Sequence, residues 1–207
     1  MPQSIRLIPD RTKSRKGVSM LKKIFVVLMI LGSVILVPGR GYSLEARITD
    51  FLINTSDRDL LVHFKVKDCF TKKMEEAILA GIPTTFTFFL ELYRERDFWF
   101  DSKLVSGVTR HTVKYDNVKK IFYLTFSGNG RGPLEFSDFD KAKRAMEEVN
   151  AAALAPLSQL IKDGRYYVKV KAKLDKVRLP LRMEYVFFFV SLWDFETGWE
   201  RKDFVYK

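Results

Sequence analysis

The chain has 207 residues, 47% of them hydrophobic and 29% charged, with a single Cys. That balance fits a folded protein and excludes a disordered tail, a collagen-like repeat and a disulfide scaffold. The formal charge of +11 sits mostly at one end: residues 1–43 hold eight basic residues and one acid, whereas residues 44–207 hold 28 basic and 24 acidic ones.

Residues 1–43 read as an export signal. Lys22 and Lys23 close a positive stretch, Ile24 through Val37 is an uncharged apolar run, and Pro38-Gly39 breaks it before the small residues Gly41 and Ser43. Positive, apolar and small-residue segments in that order define a secretory signal peptide. Cleavage is expected between Ser43 and Leu44, with the bond after Ala46 as second choice, and Met20 is an alternative start. The run is shorter than the ~18 residues that span a bilayer. An uncleaved anchor with the C-terminus outside is the alternative. The expected location is the periplasm, or the inner membrane surface if the segment stays attached, and nucleic acid is not an expected partner.

Residues 44–207 read as one α+β domain: about seven mainly antiparallel strands, sandwich-like or a meander, with two inserted helices. Ala46–Asn54 and Leu60–Lys67 flank the turn formers Ser56-Asp57-Arg58-Asp59 and make a hairpin. Cys69 is expected to be a small buried hydrophobe. Phe70, Met74, Ala77 and Ile78 recur at helical spacing, and Gly81 and Pro83 stop the helix. Phe86, Phe88, Leu90 and Leu92 then alternate with Thr85, Thr87, Phe89 and Glu91 in a long strand running towards Trp99. Leu104–Tyr115 and Lys119–Ser127 form a second hairpin around Asp116-Asn117.

After a loop at residues 127–133, Ser137 is expected to cap a helix with Phe139, Met146, Val149 and Ala153 facing the core and Pro156 kinking or ending it. Leu157, Leu160 and Ile161 continue in a short extra piece. Tyr166 to Leu174 alternates strictly and predicts a strand. Leu181–Leu192 is apolar without a decisive period and is read as helix, and Trp193 to Trp199 as a last strand.

Three stretches in this order, FTKKMEEAILAGIPTTFTFFLELYRERDFW, LDKVRLP and WDFETGW, together resemble the bacterial family known as domain of unknown function 4390, over residues 46–204. The resemblance implies an exported protein with a signal or anchor. It also implies an envelope partner such as a membrane sensor histidine kinase, encoded near many members. It supplies no catalytic residue.

Chemistry-bearing motifs are sparse. Two His and one Cys do not make a metal site or a hydrolase triad, and no cofactor is expected. His63 and His111 are both read as surface histidines. The glycines of SGNGRGP lack the following helix or the Lys-Ser/Thr of a phosphate loop. Asp175, Asp194 and Glu196 are the carboxylates a glycan hydrolase would use, although acids alternating with aromatics first describe the solvent side of a strand.

Lys65, Lys67, Lys119, Lys120, Lys169, Lys171 and Lys173 suggest a basic face for anionic headgroups or an acidic polymer, against the plainer reading of solubilising strand lysines. Phe98, Trp99, Phe100, Trp193 and Trp199 read first as core or as the lid of a sandwich end. If an interaction face exists, Trp99, Trp193, Trp199, Lys169, Lys171 and Lys173 are its candidates. The expected function is a non-enzymatic envelope module that binds a protein or a membrane component. The alternatives are a small-ligand or lipid carrier with an aromatic pocket and, behind it, the carboxylate-based hydrolase.

Overall fold

The computed structural model describes residues 46–128, 132–175 and 195–207. The signal segment with Ser43 and Leu44, the middle of the SGNGRGP loop, the helix expected at Leu181–Leu192, and Trp193 and Asp194 lie outside the described residues.

The first hairpin pairs β1 (Arg47–Thr55) with β2 (Asp59–Lys67). Its turn is closed by Ser56, whose Oγ accepts the Asp59 N–H at 2.9 Å. Helix α1 (Lys72–Leu79) starts at Thr71, whose hydroxyl accepts the Met74 N–H at 3.1 Å. It ends as a Schellman motif: Gly81 takes φ +89°, its N–H reaches the Ile78 carbonyl, and the Ile82 N–H reaches the Ala77 carbonyl. Met74, Ala77 and Ile78 are buried.

An antiparallel meander follows, β3 (Thr84–Arg94), β4 (Ser102–Asp116), β5 (Ile121–Ser127) and β6 (Leu134–Phe136). Helix α2 (Phe139–Glu147) is capped by Asp138, one residue later than expected, whose carboxylate accepts the Lys141 N–H at 2.8 Å. The helix expected to run on to Pro156 stops at Glu147, and residues 148–156 form strand β7 (Glu148–Pro156). The physical reason is long-range. Leu60, Val62, Phe64 and Val66 place β2 in the core, and its hydrogen-bonding groups on the side away from β1 need a partner. Pairing with β7 supplies one and overrides the helical propensity of the alanine-rich segment.

After a single 3₁₀ turn at Leu157–Gln159, β8 (Arg165–Leu174) pairs with the free side of β3. The last strand is later than expected: Glu196 makes one isolated bridge to Lys173, and β9 (Glu200–Val205) then pairs with β8. The described residues thus carry nine strands in two antiparallel sheets, β1-β2-β7 and β6-β5-β4-β3-β8-β9, with two helices: an α+β domain.

The core lies between the sheets. Phe64 on β2 meets Phe88 on β3 edge-to-face at 5.7 Å, and Phe51 on β1 extends the contact at 6.3 Å. Phe86, Phe88, Leu90 and Leu92 all face inward, as do Val168, Val170, Ala172 and Leu174 of β8. Phe139 of α2 stacks on Phe122 at 4.8 Å. Cys69 is buried as expected, its thiol directed at the Val66 carbonyl and the Glu147 carboxylate.

Candidate interaction face

Strand alternation sends every second residue of β3, β4, β8 and β9 away from the core. Their register makes Tyr93 and Tyr167 cross-strand partners, and the two rings stack at 4.9 Å with 10° between their planes. A cation closes each end of the stack. Lys103 Nζ lies 5.4 Å from the Tyr93 ring centre, and the Arg201 guanidinium lies 3.6 Å from that of Tyr167. Lys169 reaches both rings, at 5.2 and 5.6 Å. The result is a cation–ring–ring–cation row across four adjacent strands.

The phenol tips are tied as well. Tyr93 donates to Glu91 at 2.8 Å, and Tyr167 donates to Asp101 at 3.0 Å. Burial, reinforced by the bond to Asp101, pushes the Tyr167 hydroxyl up to about 12. Burial alone would raise Glu91, but hydrogen bonds from Lys103 and Tyr93 outweigh it and hold its carboxyl below the ordinary value.

These ties converge on the loop joining β3 to β4. Asp101 accepts both the Tyr167 hydroxyl and the Arg96 N–H. Asp97 pairs with Arg165, and Glu95 with Arg165 and Arg201. The Glu95 N–H bonds the Arg165 carbonyl at 3.0 Å. From this fastened base Phe98, Trp99 and Phe100 stand out, 97%, 75% and 89% exposed. The reading of these three as core is therefore wrong. Ion pairs and a tyrosine hydroxyl satisfy the loop's base, so it has no need to fold its aromatics inward.

Lys169, Lys171 and Lys173 do share the outward face of β8, and Trp199 joins them, with Lys171 Nζ 5.6 Å from its ring. Glu196 neutralises much of this group. It pairs with Lys171 and, at 2.9 Å, with Lys173, and hydrogen bonds from Lys171 first and Lys173 second pull its carboxyl down to about 2. The seven lysines do not form one basic face. Lys65 and Lys67 lie on the other sheet, and Lys119 and Lys120 sit at the β4–β5 turn, separated from β8 by β3.

The histidines divide. His63 is partly exposed between two β-bulges, at Asp50 of β1 (φ +53°) and Ala151 of β7 (φ +54°). Its Nε2 lies 3.0 Å from Asn54 Oδ1, and its Nδ1 lies 2.8 Å from Asn150 Oδ1 and 3.2 Å from the Ala151 nitrogen. A surface cavity of ≈ 350 Å³, lined by Asp50, Leu52, His63, Lys65, Glu148 and Val149 among others, lies beside it. His111, expected at the surface, is fully buried. It occupies the inward register between Thr109 and Val113, donates from Nδ1 to the Met146 carbonyl at 3.1 Å, and packs on Phe88 and Phe126.

Among the described residues no three His, Cys, Asp or Glu side chains gather as metal ligands. Asp175 accepts a hydrogen bond from the buried Thr87 hydroxyl at 2.6 Å. Glu196, held near 2, is the opposite of a general acid, whose pKa must be raised.

Sequence reasoning missed Tyr93, Tyr167, Arg201 and Asp101 as the frame of this face. One signal was present: the acids Glu95, Asp97 and Asp101 bracket three consecutive aromatics, a charge frame atypical of core. The family model described as "Domain of unknown function (DUF4390)" matches residues 43–203. No curated protein and no solved structure matches the chain.

Proposed function

The chain belongs to the DUF4390 family, and on that footing we propose that it is a non-enzymatic, exported envelope protein that binds another envelope component through the β3–β4 tip and the adjoining basic–aromatic face. The observation that carries the reading is the exposure of Phe98, Trp99 and Phe100 on a loop whose base is tied by ion pairs. Isolated exposed hydrophobics are ordinary, whereas a contiguous aromatic patch marks a binding surface. Holding the loop beforehand lowers the ordering cost of association.

Export is supported by the charged-then-apolar order of residues 22–37 and by the family match, which begins at residue 43, where the expected signal ends. A membrane sensor kinase is a partner this reading accommodates. The carrier reading has weaker support, because the space between the sheets is filled by Phe64, Phe86, Phe88 and Leu92 and the cavity near His63 lies on the surface. The hydrolase reading has weaker support still, given the lowered carboxyl of Glu196.

The test is photo-cross-linking in cells, with a photoreactive phenylalanine analogue at position 99 and, as control, at position 114 on β4. An envelope adduct specific to position 99 is expected. No adduct from position 99, or cytosolic activity of a reporter fused after Lys207, counts against the reading.

A further inference from the structure

We infer that His63 is a pH-operated clasp on the three-stranded sheet: its neutral imidazole holds the bulge of β7, and its charged form lets that bulge go. This goes beyond the binding reading above and does not depend on it.

Register and strain point to the place. Leu52 of β1 pairs with His63 and Thr49 with Lys65, so Asp50 and Phe51 together face the single residue Phe64. On the other side Val62 pairs with Ala152 and Phe64 with Val149, which sets Asn150 and Ala151 both against His63. Bulges of this kind re-aim side chains and end regular pairing. Asp50 and Ala151 hold left-handed backbone, at φ +53° and +54°, a conformation that a residue other than glycine keeps only where its neighbours enforce it. At Ala151 the enforcing neighbour is the imidazole. Ala151 has no cross-strand partner of its own in the β2–β7 ladder, and its nitrogen lies 3.2 Å from His63 Nδ1. Because β7 carries Val149, Ala152, Leu154 and Ala155 into the core, the clasp acts on a strand that helps to build it.

Chemistry makes this contact conditional on charge. A backbone N–H can only donate, so the Ala151 bond needs a lone pair on Nδ1. In that neutral ring Nε2 carries the proton and donates to Asn54 Oδ1 of β1 at 3.0 Å. A second proton, on Nδ1, removes the lone pair and turns that nitrogen into a donor towards Asn150 Oδ1, 2.8 Å away. A half-turn of the Asn150 amide, which exchanges Oδ1 for Nδ2, suits it to either state. Only the neutral ring therefore bonds the β7 backbone. The charged groups around the ring are Asp50 from β1, Lys65 from β2 itself and Glu148 from β7, which line the adjoining cavity with it. The two carboxylates favour the imidazolium, and Lys65, 3.9 Å from Asp50, opposes it. Histidine is the side chain whose ordinary titration falls between about pH 5 and 8, so mild acid is the signal that opens the clasp.

The test is NMR of the full chain labelled with nitrogen-15, followed from pH 8 to pH 5. At pH 8 the His63 ring should be the Nε2–H tautomer. As His63 titrates, the hydrogen-exchange protection of the Ala151 amide should fall about fivefold, the worth of one ordinary hydrogen bond. Amides of the β3–β8 ladder should keep theirs. H63Q, which cannot gain the proton, should show no step at Ala151. N150A, which takes the acceptor from the charged state, should move the His63 midpoint to lower pH. An Nδ1–H tautomer at pH 8, constant Ala151 protection through the titration, or a step that survives in H63Q overturns the inference. An unchanged midpoint in N150A overturns the role given to Asn150. None of these outcomes alters the cross-linking test of position 99.

Discussion

Tyr93 and Tyr167 lie face to face, 4.9 Å apart and 10° from parallel, on neighbouring strands of the six-stranded sheet, on the side away from the core. Outward positions of a sheet are usually left to solvated charge. Here Lys103, Lys169 and Arg201 cover the rings while the hydroxyls fasten Glu91 and Asp101. The stack thus links sheet register to the position of the Phe98–Phe100 tip.

A double-mutant cycle measures that link. Y93L and Y167L should each destabilise the domain, with a coupling of about 0.5–1.5 kcal/mol in urea unfolding. Amides 95–101 should exchange faster in Y167L. Additivity within about 0.3 kcal/mol would show that the stack has no energetic role.

Glu196 should titrate near 2 by carboxyl NMR, held there by hydrogen bonds from Lys171 and Lys173. Because the folded value lies below the ordinary one, its contribution to stability is present above the ordinary carboxylate range and is lost as pH falls towards 2. K171Q/K173Q should return the midpoint to the ordinary range. A wild-type midpoint above 4 contradicts the pairing.

Glu147 behaves in the opposite sense. Burial raises its carboxyl, and the neighbouring Cys69 thiol is raised too, first by its own burial and then by the Glu147 charge. A raised carboxylate destabilises the fold fully above its folded pKa, and the penalty vanishes below the ordinary range. E147Q should therefore melt higher than wild type at pH 7–8, with the gap closing as pH falls below about 4. Cys69 should resist thiol reagents at pH 8 until the protein is unfolded. Rapid native labelling, or an E147Q advantage that grows in acid, would refute this.

Two glycines in one loop should respond differently. Gly128 has φ +88°, and a Cβ there would come within 2.3 Å of the Val108 carbonyl oxygen, whereas a Cβ on Gly132 meets nothing within 4 Å. G128A should cost about 1–3 kcal/mol, and G132A should stay within about 0.5 kcal/mol of wild type. Equal thermal shifts would reject the assignment.

Local pattern alone determined a good part of this protein. β1, β2, β3, β4, β5, β8 and α1 appear where alternation, helical spacing and turn chemistry place them, because each of those signals depends on neighbours a few residues away. Tertiary structure decided the rest. Residues 148–156 became a strand because β2, far away in sequence, needed a second hydrogen-bonding partner. His111 went inside because its strand register faces Phe88 and Met146. Phe98, Trp99 and Phe100 stayed outside because Arg165, Arg201 and Tyr167, brought in by β8 and β9, satisfy the acids at their base. Burial of a side chain depends on what the remainder of the chain places against it, and no short window of sequence contains that information.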